Sequence, residues 1–256
     1  MKMSWFVSLL AIAIFALASP LNAQWVQTNL PNMTVNAFTV DNNGVLFAGT
    51  ENGVYRSTDS GTSWATSGLA SHNISSVVVA ASNLFAGAAD AGVFRSTDHG
   101  TNWTEVNTGL VSSYIFTLAV SGTSIYAGTN IGVFRSTNYG TSWSLILFSG
   151  WSLTIATAID YGGNTNLFVG VGYETEGAGS VYVSTDEGVT WTSSNEGMWT
   201  HMVDALAIIP VGTSSYNIFA GTWWEGVFRS TNNGTNWTMV NTGLPGSAIN
   251  TLVTDN

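Results

Sequence analysis

The chain of 256 residues contains no cysteine, only four prolines, and five lysines and arginines against fifteen acids. Without cysteine no disulfide scaffold can form, so stability must come from packing and backbone pairing. The formal net charge of −10 leaves too few cations to follow a phosphate backbone, which disfavours nucleic acid and anionic membranes as partners. Because 45% of the residues are hydrophobic and only 8% are charged, a disordered chain is excluded as well.

Long apolar runs are also scarce, and the one present lies at the amino terminus. A short basic start (Met1 to Met3) precedes the apolar run Trp5 to Ala18, and Ser19 to Ala23 then offers small residues before Gln24. This layout predicts a secretory signal peptide over residues 1–23. The alternative is a membrane anchor, but the run of about 14 residues is shorter than the ~20 that a spanning helix needs. We therefore expect a secreted, periplasmic or cell-surface protein with no membrane span after signal removal.

Helical periodicity is missing beyond residue 24, and an internal repeat takes its place. An octad that begins with Ser-Thr and ends with tryptophan occurs five times, at Ser57–Trp64, Ser96–Trp103, Ser136–Trp143, Ser184–Trp191 and Ser230–Trp237. The five tryptophans are 39, 40, 48 and 46 residues apart. A period of this length is typical of stacked or radially arranged repeats.

Each repeat contains four short apolar runs separated by glycine, asparagine, aspartate and serine. In the first repeat the runs are Val35–Val40, Val45–Ala48, Gly53–Ser57 and Ser63–Thr66. Four strands per 40 to 48 residues predict an all-β fold, a β-propeller of four-stranded antiparallel blades. A parallel β-helix or solenoid is the alternative, but its repeat is usually shorter. The propeller is expected over residues 24–256, with repeat units at about 32–70, 71–110, 111–149, 150–198 and 199–244.

The octad resembles the Asp-box, or bacterial neuraminidase repeat, whose pattern is Ser-x-Asp-x-Gly-x-Thr/Ser-Trp. An Asp or Asn side chain can accept hydrogen bonds from backbone N–H groups two or three residues on, and glycine supplies a positive φ. The tryptophan is then expected to begin the outer strand and to pack on the neighbouring sheet. The predicted structural residues are Asp59, Gly61, Trp64, Asp98, Gly100, Trp103, Asn138, Gly140, Trp143, Asp186, Gly188, Trp191, Asn232, Gly234 and Trp237.

The ends of the chain resemble parts of further blades. Residues 24–31 look like the end of a fourth strand, and residues 248–256 look like the first strand of another blade. We therefore expect five complete blades of a ring of six to eight, in a truncated chain. The alternative is a five-bladed ring with two spare strands.

In propellers with this resemblance the Asp-box turns lie on one face. The opposite face is built from the loops between second and third strands and from the connections between blades. Candidate ligand-binding residues fall in those segments, namely Trp151, Tyr173, Trp199, His201, Trp223 and Trp224. Aromatic ring faces for stacking beside carboxylates suit a sugar-binding cleft, while the alternative is that the rings fill gaps between blades.

The resemblance also covers enzymes, in particular sialidases and the family-74 glycosidases that cleave xyloglucan. A sialidase would need a triad of converging arginines, whereas Arg56, Arg95, Arg135 and Arg229 all occupy the same position before the octad serine. A family-74 enzyme uses two carboxylates in a cleft between two propellers, and an inverting pair lies ~6.5–9.5 Å apart. The weak catalytic candidates by position are Glu174, Glu176, Asp204 and Glu225.

No metal or cofactor site is expected. His72, His99 and His201 are widely spaced, and neither a phosphate-binding glycine loop nor a nucleophile elbow occurs. Similar propellers include the photosystem II assembly factors, which act as assembly platforms. The sequence therefore predicts a secreted binding or protein-interaction module for an extracellular glycan or protein. The alternative is a glycoside hydrolase, xyloglucanase-like rather than sialidase-like.

Overall fold

The protein is described here by a computed structural model over residues 28–159, 163, 165–172, 181–199, 202–211, 215–246 and 248–254. These residues form twenty strands and no helix. It follows that no helix among them is long and apolar enough to cross a membrane. The predicted signal peptide at 1–23 lies outside the described residues.

The twenty strands form five four-stranded sheets, here called blades 1 to 5 in chain order. Blade 1 contains β1 (Val35–Val40), β2 (Leu46–Thr50), β3 (Gly53–Ser57) and β4 (Ala65–Gly68). Blade 2 contains β5 (Ile74–Ala80), β6 (Asn83–Ala88), β7 (Gly92–Ser96) and β8 (Thr104–Glu105). Blade 3 contains β9 (Ile115–Ser121), β10 (Ser124–Thr129), β11 (Gly132–Ser136) and β12 (Ser144–Phe148). Blade 4 contains β13 (Ser152–Ile159), β14 (Thr165–Val171), β15 (Val181–Ser184) and β16 (Thr192–Ser194). Blade 5 contains β17 (Val203–Val211), β18 (Ser215–Thr222), β19 (Val227–Ser230) and β20 (Thr238–Met239).

Within every blade the strands pair antiparallel in the order of the chain. Between blades, the first strands pack successively on one another, from β1 through β5, β9 and β13 to β17. The first strand of each blade is therefore its inner strand, and the fourth is its outer strand. This arrangement confirms the predicted β-propeller architecture with five complete blades.

The hydrophobic core is divided among the four interfaces between neighbouring blades. One cluster of buried residues spans each interface, as Phe47 of blade 1 does with Ile74 and Val77 of blade 2. Similar clusters join blades 2 and 3, blades 3 and 4, and blades 4 and 5. Because blades pack face to face, both faces of the middle sheets are apolar. This explains why the second strands read as apolar runs without alternation.

A glycine near the end of each second strand allows the next blade to approach. A Cβ on Gly49 would lie 2.8 Å from Ile74 Cγ2, and one on Gly87 would lie 2.6 Å from Ile115 Cγ2. Real Cβ atoms do not come so close to other atoms, so only glycine fits. The close approach of the blades thus depends on the repeated glycine of the sequence pattern.

The octads form hairpin turns between third and fourth strands. In blade 2, Ser96 Oγ donates to Asp98 Oδ1 at 2.8 Å and accepts from the N–H of Gly100 at 2.8 Å. Asp98 Oδ1 accepts from the N–H of Asn102, four residues on and not two or three as predicted. The reason is the consecutive positive φ values at His99 and Gly100 (54° and 79°), which fold the chain back over the carboxylate. All five octads share this arrangement.

Two kinds of octad-associated side chain, a tryptophan and an arginine, connect neighbouring blades. The indole N–H of Trp103 donates to Ser67 O of blade 1 at 2.7 Å, and that of Trp143 donates to Val106 O of blade 2 at 2.7 Å. In the other direction, Arg95 Nη1 donates to Tyr139 O of the next octad at 3.1 Å. The octad tryptophans of blades 2 to 5 thus contact the neighbouring sheet as predicted, whereas Trp64 of blade 1 contacts Gly61 and Phe38 of its own blade. Each outer strand begins one residue after its tryptophan.

Some predicted strand limits differ from the structure. In blade 1 the second strand begins at Leu46 and the fourth at Ala65, because the octad turn continues through Trp64. Residues 28–31 and 248–254 have no strand, since a strand needs a paired neighbour. Nevertheless Ile249 packs on Gly221 as Ile74 packs on Gly49, and its N–H donates to Thr222 O at 2.9 Å. This segment therefore lies where the inner strand of a following blade would begin.

Candidate binding site

The strand directions divide the loops between two faces of the propeller. The octads and the turns between first and second strands lie at one end of the blades, here called the octad face. The turns between second and third strands and the connections between blades lie at the opposite end, here called the loop face. This follows from the antiparallel order within each blade, because neighbouring strands end at opposite ends of the sheet.

The loop face carries the four tryptophans that lie outside the octads and the amino-terminal segment. Trp151 precedes β13, Trp199 lies between β16 and β17, and Trp223 and Trp224 lie between β18 and β19. Their exposed fractions are 45%, 66%, 43% and 59%, in that order. The octad tryptophans Trp143 and Trp237, in contrast, are only 4% exposed. The two groups of tryptophans therefore differ in burial as well as in place.

Local contacts fix these rings at the surface. Trp199 packs edge-on against Phe228, with the ring centroids 6.5 Å apart. The N–H of Trp223 donates to Met202 O at 3.3 Å, which ties the β18–β19 turn to the connection that carries Trp199. Trp199, Trp223 and Trp224 thus belong to one loop cluster of blade 5. Trp151 lies one blade earlier, where it packs on Phe116 of blade 3 with centroids 5.8 Å apart.

Two candidate carboxylates flank this cluster. Asp204 lies where the pairing of β17 with β18 shifts register, between Val203 and Ala205 and beside the end of β18. The N–H of Glu225 donates to Thr222 Oγ1 at 3.0 Å. Asp204 Oδ2 and Glu225 Oε2 are both buried and have no hydrogen-bond partner among the described residues. Each carboxylate therefore retains an acceptor that nothing in the described part of the chain satisfies.

Burial raises the pKa of Asp204 above its usual value. The counterparts of Asp204 in blades 1 and 2 are donors: Asn36 Nδ2 donates to Ile74 O and Ser75 Oγ donates to Ile115 O. An ionised carboxylate has no proton to donate in this way. Blades 3 and 4 carry Phe116 and Leu153 at this position, so the donor contact of Asn36 and Ser75 is not common to all repeats and gives no structural reason for Asp204.

Four of the predicted site residues lie outside the described part of the chain, namely Tyr173, Glu174, Glu176 and His201. Of the described candidates, Trp223, Trp224 and Glu225 share the β18–β19 turn, and the bond from the N–H of Trp223 to Met202 O connects that turn to the segment that carries Trp199 and Asp204. The pairing of Trp151 with Phe116 remains separate from that cluster.

The octad face carries a polar contact that the sequence did not indicate. His99 Nδ1 lies 3.1 Å from Asp41 Oδ2, in a hollow between blades 1 and 2. Burial raises the pKa of Asp41, but hydrogen bonds from the N–H groups of Val45 and Asn43 and the contact with His99 outweigh it and lower the pKa. Asp41 and His99 are far apart in sequence, so their contact could not be predicted. The one sequence feature that pointed to it is a histidine at the variable fourth position of the octad. We interpret the pair as a link between blades.

The arginines do not converge. Arg56, Arg95 and Arg135 each donate to the carbonyl of the residue before the octad glycine of the next blade, His99, Tyr139 and Glu187. This confirms that they are repeated structural residues and that they belong to the octad face. Among the described residues no group of three or more histidines, aspartates or glutamates is placed to hold a metal ion.

Comparison with known proteins supports the fold. No protein-family profile and no curated protein matches the chain. Among solved structures, a GH74 enzyme from Niastella koreensis matches 80% of this chain with a TM-score of 0.62 and 21% identity, over 38% of its own length. YCF48 bound to D1 peptide matches 80% with a TM-score of 0.59 and 15% identity, over 68% of its length. The extracellular domain of BT4673 from B. thetaiotaomicron matches 87% with a TM-score of 0.56 and 14% identity, over 36% of its length.

These similarities establish the propeller architecture. The chain spans 34% to 38% of the length of the three GH74 enzymes that it matches. With identities of 21% or less, the shared property is the arrangement of the blades. The chemistry of this protein must be argued from its own residues.

Proposed function

We propose that the chain is an exported binding module whose loop face, in blades 4 and 5, binds a neutral glycan. The observation that carries the proposal is the exposure of Trp199, Trp223 and Trp224 in one loop cluster. Exposed tryptophan surface is costly in water, and such surface on one side of a protein is typical of a binding site.

The polar groups of the cluster indicate the kind of ligand. Asp204 and Glu225 offer carboxylate oxygens without partners, which can accept hydrogen bonds from hydroxyl groups. Arg56, Arg95 and Arg135 bond to octads on the other face, so this cluster lacks their cations for an acidic sugar. Indole rings that stack on sugar faces, beside acceptors for hydroxyls, favour a neutral oligosaccharide over a charged one.

Export is part of this proposal. The amino-terminal run predicts a signal peptide, and the BT4673 neighbour is an extracellular domain. A protein segment is the competing ligand, because the YCF48 neighbour is bound to a peptide.

Tryptophan fluorescence tests the proposal. Titration with a panel of neutral oligosaccharides is expected to change the emission saturably for at least one of them. Trp224→Ala should abolish that change, Trp224→Phe should retain part of it, and Val189→Ala, which shortens an exposed apolar side chain in the blade 4 octad on the opposite face, should leave it intact. Responses to peptides but to no oligosaccharide would replace the glycan by a protein ligand. A loss of signal with Val189→Ala equal to that with Trp224→Ala would reject the loop-face site.

A glycoside hydrolase is the second candidate, favoured by the two orphaned carboxylate oxygens. In that case Asp204, whose pKa burial raises, would supply the proton and Glu225 would act as base. Hydrolysis of a bound oligosaccharide that is lost in both Asp204→Asn and Glu225→Gln, with binding retained, would support the enzyme. Binding without hydrolysis in the wild type would exclude it for that ligand.

A further inference from the structure

Blade 5 exposes the kind of surface with which blades 1 to 4 each hold the next blade. We call this the trailing surface. Its central aromatic residue is fully buried in the first four blades, where it is Phe47, Phe85, Tyr126 and Phe168. The counterpart in blade 5 is Phe219, which pairs with Arg229 as Phe47 pairs with Arg56. Phe219 is partly exposed, and Arg229 is exposed.

A glycine on this surface forms the seat for the tryptophan of the next octad. A Cβ on Gly109 would lie 2.3 Å from Trp143 O, and one on Gly197 would lie 2.1 Å from Trp237 O. Gly243 is the counterpart in blade 5, with nearly the same φ of +85°, but nothing lies within 4 Å of its Cβ position. The seat on blade 5 therefore has the shape of the others and is open.

Blade 1 exposes the opposite kind of surface, here called the leading surface. Phe38 on β1 is 64% exposed, whereas its counterparts Val77, Leu118 and Ile155 are 3%, 5% and 9% exposed against the preceding blade. The indole N–H of Trp64 donates to Gly61 O of its own octad at 3.1 Å. In blades 2 and 3 the equivalent indole donates to the preceding blade. Within the described chain, blade 1 does not pack extensively on blade 5.

We propose that blade 1 of a second copy of this chain docks on blade 5, as though it were the next blade of the same propeller. The argument is continuity with an existing interface, since one chain carries both halves of a contact that it already makes four times. By that equivalence Trp64 Nε1 of the second copy donates to Val240 O, the counterpart of Val106 O. Arg229 donates to Ser60 O of the second copy, as Arg95 donates to Tyr139 O.

In the single chain, two segments occupy parts of the leading and trailing surfaces, and the second copy must displace them in order to dock. Asn29 Oδ1 accepts from the N–H of Trp64 at 2.7 Å, where Thr108 O accepts from the N–H of Trp143. On blade 5, Ile249 covers Gly221 at the inner end of the trailing surface. By equivalence with the existing interfaces, Thr242 O would replace Asn29 Oδ1 as the acceptor for the N–H of Trp64, and Val35 of the second copy would replace Ile249 on Gly221. The contact joins unlike surfaces, so copies add head to tail.

Sedimentation velocity of the purified protein at increasing concentration tests this proposal. The weight-average mass is expected to rise with concentration in the micromolar range, on the order of 10–100 µM. Gly243→Asn should weaken association at least tenfold, because asparagine tolerates the positive φ but its side chain fills the seat. Gly122→Asn is the matched control, since Gly122 also has a positive φ with nothing within 4 Å and lies in the β9–β10 turn of blade 3.

A mixing experiment keeps the proposal testable if a variant loses stability. Phe38→Ser impairs only the leading surface, and Gly243→Asn impairs only the trailing surface. Neither should associate alone, yet an equimolar mixture should form a one-to-one dimer through the two intact surfaces. A wild type that stays a single chain at every concentration, association of Gly243→Asn equal to that of the wild type, or failure of the two variants to combine would each overturn the proposal.

Discussion

Aspartate and asparagine are not equivalent in the octads when the pH falls, although both close the turn. Hydrogen bonds from the backbone and side-chain N–H groups of Asn102 lower the pKa of Asp98 to about 2. Bonds from the hydroxyl and N–H of Thr190 likewise lower the pKa of Asp186 to about 2. Asn138 makes the corresponding bond to the N–H of Ser142 at 2.9 Å without a titratable group. The octads therefore divide into acid-sensitive and acid-insensitive turns.

Replacing Asp98 and Asp186 by asparagine should reduce the sensitivity of the protein to acid. A carboxylate with a lowered folded pKa contributes stability above its unfolded pKa, near 3.8, and loses it as the pH falls toward about 2. The double variant should be no more stable than the wild type near pH 7, because it lacks the contribution of the ionised carboxylates, and it should show a smaller fall in melting temperature between pH 4 and pH 2. Thermal unfolding followed by circular dichroism measures this. An unchanged fall would contradict the role assigned to the two carboxylates.

At the level of strands and blades, the octad tryptophan joins neighbouring sheets through its packing and its indole hydrogen bond. Trp143 is 4% exposed, and its indole N–H donates to Val106 O at 2.7 Å. Trp191 donates likewise to Ile146 O and Trp237 to Ser194 O. The sequence predicted burial of these rings against the neighbouring sheet. It could not predict the carbonyl acceptors, because each lies on another blade.

Trp143→Phe should destabilise the protein by about 1–3 kcal/mol, since it leaves Val106 O without its buried donor and opens a small cavity. Trp151→Phe is the matched control at a tryptophan that is 45% exposed, with an expected effect within about 0.5 kcal/mol. Urea unfolding of both variants measures the difference in the free energy of unfolding. Equal effects would show that burial in the blade interface does not set the role of the tryptophan.

Over the whole molecule, stability rests on contacts between adjacent blades. Blades 2, 3 and 4 are each covered on both faces, whereas blades 1 and 5 have one extensively packed neighbour each. In such a repeat arrangement each blade gains stability from every neighbour that it contacts. The middle of the array should therefore open less often than its ends.

Hydrogen exchange followed by mass spectrometry should show this gradient. The amides of β10 and β11 in blade 3 are expected to be protected most, and those of β3 and β19 in the end blades less. Dilute protein should be used, so that any association does not cover the end surfaces. Uniform protection across all five blades would indicate that the array unfolds as one cooperative unit.

The amino-acid sequence was sufficient for the repeat, the four strands of each blade and the octad turns. These features depend on contacts between residues close in the chain, such as Ser96 with Gly100, and on a pattern that five copies reinforce. It was also sufficient to assign the arginines a structural place and to separate the loop tryptophans from the octad tryptophans. The limits of the fourth strands were less exact, because the turn consumes residues that have strand-like composition.

Three-dimensional structure was needed wherever a residue's partner lies on another blade. Three features could not be predicted from neighbouring residues in the sequence: the contact of Asp41 with His99, the open space at Gly243 and the exposure of Phe38. Each depends on a residue about one repeat away or on the lack of such a residue. The orphaned oxygens of Asp204 and Glu225 are of the same kind, because burial depends on how the sheets pack. Short-range hydrogen bonds can be predicted because their donors and acceptors are close in the sequence, whereas packing between sheets arises only once the blades are assembled.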